Sequence, residues 1–135
     1  MGREQNQELA EKLLAELGKG AEAEEVVKLF SSDVVFEIAG DVGALPWIGR
    51  KTGPAAVSDF VRDTRRLIKR ERFDVHEILV SEDRAVIVGS FASRVNATGK
   101  IIESDFALIL GISNGEINRF SLLEDSFAVS RAARE

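Results

Sequence analysis

The chain has 135 residues, of which 44% are hydrophobic, enough for one domain (1–135, core about 8–130) with a single core. Its net charge of −5 argues against a nucleic-acid-binding surface, which is normally basic. With no cysteine and one histidine, His76, disulfides, thiolate chemistry and multi-histidine metal sites within one subunit are excluded.

Residues 4–17 carry Leu9, Leu13, Leu14 and Leu17 at helical spacing, and Gly18 and Gly20 punctuate the end. This polar N-terminus holds no apolar signal run, and no stretch is apolar and long enough for a transmembrane helix. A cytoplasmic protein without membrane contact is therefore expected. A second, short helix is predicted at about 21–30, with Glu22, Glu24 and Glu25 in its first turn, where the helix dipole favours negative charge.

Val34-Val35-Phe36-Glu37-Ile38 then reads as a strand by its β-branched and aromatic content. A Gly- and Pro-rich loop at 39–53 holds the only tryptophan, Trp47. Pro54 suits the first turn of a third helix running to about Lys69, with Val57, Phe60, Val61, Thr64, Leu67 and Ile68 at helical spacing. Arg62, Arg65, Arg66, Lys69 and Arg70 crowd the same helix. They read as a solvated face with cations complementing the helix C-terminus; an anion site is the alternative.

Four strand-like segments follow, at 72–80, 84–96, 100–112 and 116–127. Their short connections favour antiparallel neighbours. The last connection contains Asn114-Gly115, a strong hairpin signal, because the tight turn requires positive φ. Residues 128–135 are polar and expected to fray. The order α-α-β-α-β-β-β-β predicts an α+β fold, a curved and mainly antiparallel sheet wrapped around the N-terminal helices.

Three segments resemble a known group. Phe30-Ser31-Ser32-Asp33-Val34-Val35-Phe36 matches an F-x-x-D-V-x-aromatic approach to the first strand. Leu45-Pro46-Trp47-Ile48-Gly49 through Gly53-Pro54 matches an LPW-x-G-x-x-x-G loop. Asn114-Gly115-Glu116-Ile117 through Asp125 is similar to a G-x-I final strand ending in aspartate. On these motifs the chain resembles the SnoaL-like polyketide cyclase and ketosteroid isomerase-related group of the nuclear transport factor 2-like superfamily, the cystatin-like α+β cone. The resemblance implies a cone with one pocket, a small hydrophobic molecule as partner, no cofactor, and a homodimer formed through the outer sheet face. It also implies an acid/base carboxylate near the end of the last strand, at Asp125.

If Asp125 faces the pocket, alternation brings Arg119, Ser121 and Leu123 to the same face. Phe36, Phe60, Phe91 and Phe106 are candidate pocket walls, with core packing as the alternative, and Trp47 suits a pocket mouth. His76, the one imidazole, is a second candidate base or donor; a structural or exposed strand histidine is the alternative. Alternation puts Phe73, Val75, Glu77 and Leu79 on one strand face and Asp74, His76 and Ile78 on the other.

The chain departs from two mechanisms of these relatives. It has no tyrosine for the oxyanion hole of the ketosteroid isomerases, a known case of pKa tuning, and the position of their base falls at about Ile38. The Arg-x-Asp pair of limonene-epoxide hydrolases corresponds to about Phe91 and Ser93. Two readings lead, ahead of a third that the resemblance allows, a subunit of a larger oxygenase-type assembly. One is a ligand-binding cyclase or isomerase working through an enolate, with Trp47, His76, Ser93, Ser121 or a backbone amide as oxyanion donor. The other is a non-catalytic ligand-binding or dimerisation module.

Overall fold

The computed structural model describes residues 2–134. Helix α1 (Arg3–Gly18) buries Asn6, Ala10 and Leu13, and α2 (Ala23–Val27) buries Ala23 and Val26. Strand β1 (Phe30–Ile38) precedes the loop, which contains a short strand β2 (Gly49–Thr52) absent from the sequence expectation. Helix α3 (Pro54–Leu67) starts after Gly53, whose φ of 91° is open to glycine, and Pro54 sits in its first turn.

Strands β3 (Ile68–Val80), β4 (Arg84–Val95), β5 (Ile101–Ser113) and β6 (Glu116–Glu124) follow, then helix α4 (Ser126–Ala133). The third helix ends two residues earlier than expected because Ile68 is already extended, so α3 passes into β3 without a loop. Among the described residues, no helix is long and apolar enough to cross a membrane.

The six strands form one curved, unclosed sheet in the order β2-β1-β6-β5-β4-β3. All neighbours are antiparallel except β1 and β6, which run parallel. This is the expected α+β cone: α1 and α3 cover the concave face. The β5–β6 turn has positive φ at both Asn114 (54°) and Gly115 (76°), as the Asn-Gly signal requires.

Directly opposed residues share a sheet face, so register identifies the inner surface. Phe36 pairs with Phe120, Phe120 with Leu110, Leu122 with Leu108, and Leu108 with Ile87; all point into the cone. On β3 the strict alternation fails. A register shift between Val75 and Glu77 marks a bulge at His76. Beyond it Ile78 and Val80 pair with the fully buried Ile87 and Ala85, while Glu77 and Leu79 pair with outward Val88 and Val86. The predicted face of Glu77 and Leu79 is thus reversed by one extra residue.

The C-terminus also differs from expectation. Residues 126–133 form α4 rather than a frayed end, and Val129 and Ala132 are buried. Thr98 Oγ1 donates to the Ala132 carbonyl at 2.6 Å and Lys100 Nζ to that of Arg134 at 2.7 Å. Asp41 accepts from Ser130 Oγ and from Arg134 Nε. Its polar side chains face outward while these ties hold the segment down.

Candidate functional site

The cone is hollow. A cavity of about 460 Å³ lies between the concave sheet, α1 and α3. Leu14 and Leu17 of α1 and Phe60, Val61 and Thr64 of α3 form one wall. The inward residues of β3 to β6 form the other, with Trp47 and Leu45 from the loop. Its volume matches a small-molecule site.

Aromatic packing fixes that wall. Phe36 stacks on Phe120 with ring centroids 4.7 Å apart, and Phe60 lies 5.2 Å from Phe36 and 5.6 Å from Phe120. Trp47 meets Phe60 edge-on at 6.1 Å. Phe106 stacks on Phe73 at 5.2 Å and tilts against Phe91 at 6.2 Å. Such contacts lock ring orientation and leave the cavity a rigid apolar lining.

Glu124 is the carboxylate on this wall. Within β6 it shares parity with Phe120 and Leu122, and it stands opposite Phe106. Burial pushes its carboxyl up to about 7, with no compensating charge or hydrogen bond among the described residues. A carboxyl in that range can both accept and release a proton near neutral pH. Ser93 and Trp47 supply neutral donor groups on the same lining. Thr64 lines it too, but its hydroxyl already donates to the Phe60 carbonyl at 2.8 Å.

Of the residues singled out from sequence, Trp47, Phe60, Phe91 and Phe106 meet at the cavity. Phe36 stands behind the lining, fully buried against Phe60 and Phe120. Asp125 lies outside the cavity: its Oδ1 accepts from the Ala128 amide at 3.0 Å and so caps α4. Arg119, Ser121 and Leu123 occupy the outer face, where Arg119 pairs with Glu37 at 3.2 Å and Leu123 is 47% exposed.

His76 is exposed at the β3 bulge, with Nε2 3.5 Å from Ser90 Oγ, also away from the cavity. Sequence reasoning missed Glu124. Its signal was the parity it shares with Phe120 and Leu122, obscured because Leu123 and Phe127 make the opposite parity look apolar too.

The arrangement agrees with what the chain is similar to. No curated protein matches it. An NTF2-like protein from Burkholderia xenovorans LB400 superposes with a TM-score of 0.89 at 19% identity, covering 99% of each chain. A provisionally named isomerase from Bacillus subtilis gives 0.79 at 21% identity, over 98% of this chain and 95% of that one. TerC, co-crystallised with polyporic acid, gives 0.81 at 19% identity, over 97% and 99%. At these identities the likeness establishes the fold. The SnoaL-like domain matches residues 10–120, from the first cavity-covering helix to Phe120 on its wall, so the chain belongs to the SnoaL-like family.

Proposed function

We propose that this SnoaL-like chain binds a small, largely apolar molecule in its cone and moves a proton on it, with Glu124 as the acid/base. One observation carries the reading: a carboxyl held at about 7, with no partner among the described residues, on the apolar wall of a cavity of about 460 Å³. The carboxylate takes a proton from the carbon next to a carbonyl, and the electron pair moves to the oxygen as an enolate. Ser93 or Trp47 donates to that oxygen. Return of the proton at another carbon gives an isomerisation; attack of the enolate carbon on a second carbonyl opens its π bond to an alkoxide, which takes the proton back from Glu124 to complete an aldol-type ring closure. A ligand-bound relative, TerC with polyporic acid, and the name given to the Bacillus subtilis relative favour this reading.

The test is deuterium uptake at the activated carbon of 2-tetralone, a flat enolisable ketone, followed by NMR in heavy water. The wild-type protein accelerates uptake, and Glu124→Gln lowers that acceleration by about a hundredfold or more, the usual share of a positioned acid/base. Equal rates for the two proteins sink the assignment. Binding of the ketone without any acceleration leaves a non-catalytic ligand-binding module.

Two copies pair through the outer sheet face in the same reading. Leu79, Val86 and Ile109 lie side by side there, next to Val88, Ala107 and Leu123. The patch is apolar in its middle and closed by Ser121 and Glu77 at the ends of its two rows, the apolar centre with a polar rim that suits a self-complementary interface. Leu79→Glu with Leu123→Glu makes the protein a monomer by light scattering; an unchanged mass removes this face as the interface.

A further inference from the structure

We propose that the ligand of this cavity is an anion, an apolar body carrying one acidic group that seats on Arg65 and Arg70. The inference rests on the cavity being the binding site. Three charged residues line it: Arg65, Arg70 and Glu124. Arg62, Arg66, Arg72, Arg94, Arg119 and Arg134 each hold a carboxylate among the described residues. Arg65 and Arg70 hold none among the described residues; Arg3, Arg50, Arg84 and Arg131 hold none either, but they do not line the cavity.

The direct passage of α3 into β3 places them. Arg65 is in the last turn of the helix, and Arg70 is the third residue of the strand. Both are solvent-exposed residues that line the cavity, as do Leu17 and Gly18 at the C-terminal end of α1, so they stand at its rim. Arg65 Nη1 donates to the Ala21 carbonyl at 2.6 Å, which steadies the side chain and leaves its other donors unused. The Arg70 guanidinium lies over the Phe73 ring, 4.6 Å from its centroid, and makes no side-chain hydrogen bond among the described residues.

Burial first, and then the positive charge of Arg65, push the Arg70 guanidinium below its usual range, and a bound anion would relieve both. A planar pair of donors of this kind matches a carboxylate or an acidic enol better than a point charge would.

Orientation follows from the register. Arg70 stands opposite Ser93 on β4, whereas Glu124 stands opposite Phe106 on β5. Their strands are three spacings apart, roughly 14 Å across a flat sheet. Phe73, Phe91 and Phe106 make the apolar floor between. The acidic group therefore sits at the arginine rim, and the carbon that gives up its proton sits at the Glu124 end.

The test compares two fluorescent probes with the same aromatic body: 1-anilinonaphthalene-8-sulfonate, and N-phenyl-1-naphthylamine, which lacks the sulfonate. Quenching of Trp47, the only tryptophan and part of the cavity wall, reports occupancy of this site. Both probes quench Trp47, with the sulfonate bound about tenfold tighter or better, as expected for hydrogen bonds to a charged group. Arg65→Gln with Arg70→Gln removes that preference and leaves the affinity for the amine unchanged. Both arginines are exposed at the rim, so the double variant keeps its fold, checked by circular dichroism. Equal affinities in the wild type, or a preference that survives in the double variant, overturn the anion proposal alone. Absence of Trp47 quenching by either probe overturns the cavity as a binding site, and the proposal with it.

Discussion

Glu124 and Asp125 are neighbours in the chain whose carboxyls serve different surroundings: that of Glu124 lines the apolar cavity, and that of Asp125 caps α4 by accepting from the Ala128 amide at 3.0 Å. The strand ends between them. Glu124 is its last residue and keeps the inward parity of Phe120 and Leu122, while Asp125 has already left the ladder to start the helix. We propose that the acid/base role, which the family resemblance implies at Asp125, belongs to the residue before it.

The raised carboxyl has a consequence for stability. In the unfolded chain Glu124 ionises near 4.5, whereas in the fold it holds its proton to about 7. Between those values the native state binds more protons than the unfolded one, so stability falls as pH rises through the window and levels off above it. Glu124→Gln removes the effect. The variant matches the wild type below pH 4.5 and exceeds it at pH 8 by up to about 3 kcal/mol, since each tenfold change in proton affinity is worth about 1.4 kcal/mol. Urea titrations at pH 4 and pH 8 measure this; an equal difference at both pH values contradicts it.

Asp125 is expected to act on stability rather than on chemistry. Asp125→Ala loses the cap and costs about 1 kcal/mol, while Asp125→Asn keeps a capping oxygen and costs less. Deuterium uptake by 2-tetralone persists in Asp125→Asn. Its loss there, with Glu124→Gln still active, would return the proton transfer to Asp125.

Gly89 is held by a close approach. A methyl group added at it would lie 2.0 Å from the Asp74 carbonyl oxygen and 2.9 Å from the Phe106 ring. The backbone of β3 cannot yield as a flexible side chain would, because the bulge at His76 begins opposite this glycine. Gly89→Ala is expected to lower stability by about 1–3 kcal/mol through overpacking. An unchanged thermal midpoint would show that β3 moves away freely.

Asn6 ties α1 to the β3–β4 turn. It is fully buried, and its Nδ2 donates to the carbonyls of Ser81 at 2.9 Å and Glu82 at 3.0 Å. Asn6→Ala is expected to cost about 1–3 kcal/mol, the sum of two such bonds. Because α1 also carries Leu14 and Leu17 on the cavity wall, amide exchange along α1 should quicken in the variant. Exchange in α1 as slow as in the wild type would show that apolar packing alone holds the helix.

Much of this molecule is legible in its sequence, for reasons that are local. The Asn114-Gly115 turn, the start of α3 at Pro54 and the apolar content of β4 and β5 each depend on residues next to one another. What escaped is non-local. The face on which Glu124 lies depends on its pairing with Phe106, and the face of Glu77 and Leu79 depends on a bulge created by the pairing of β3 with β4. Helix α4 depends on a cap and on Thr98, Lys100 and Asp41, all of them distant from it in the chain. Arg65 and Arg70 look like helix-end cations until α3 is seen to stop at Leu67 and turn Arg70 toward the cavity rim.

The bulge at His76 has a second effect, on how separate molecules behave. The sheet has two open edges, β2 and β3, and an uncovered edge invites a strand from another chain to add to it. β2 is only four residues long, too short a template. β3 runs for 13 residues and is the exposed one. There the bulge kinks the strand, and Lys69, Arg70, Glu71, Arg72, Asp74 and Glu77 set charges along it that a joining strand would have to match. The feature that defeats simple alternation thus also guards the long edge against fibre-like growth.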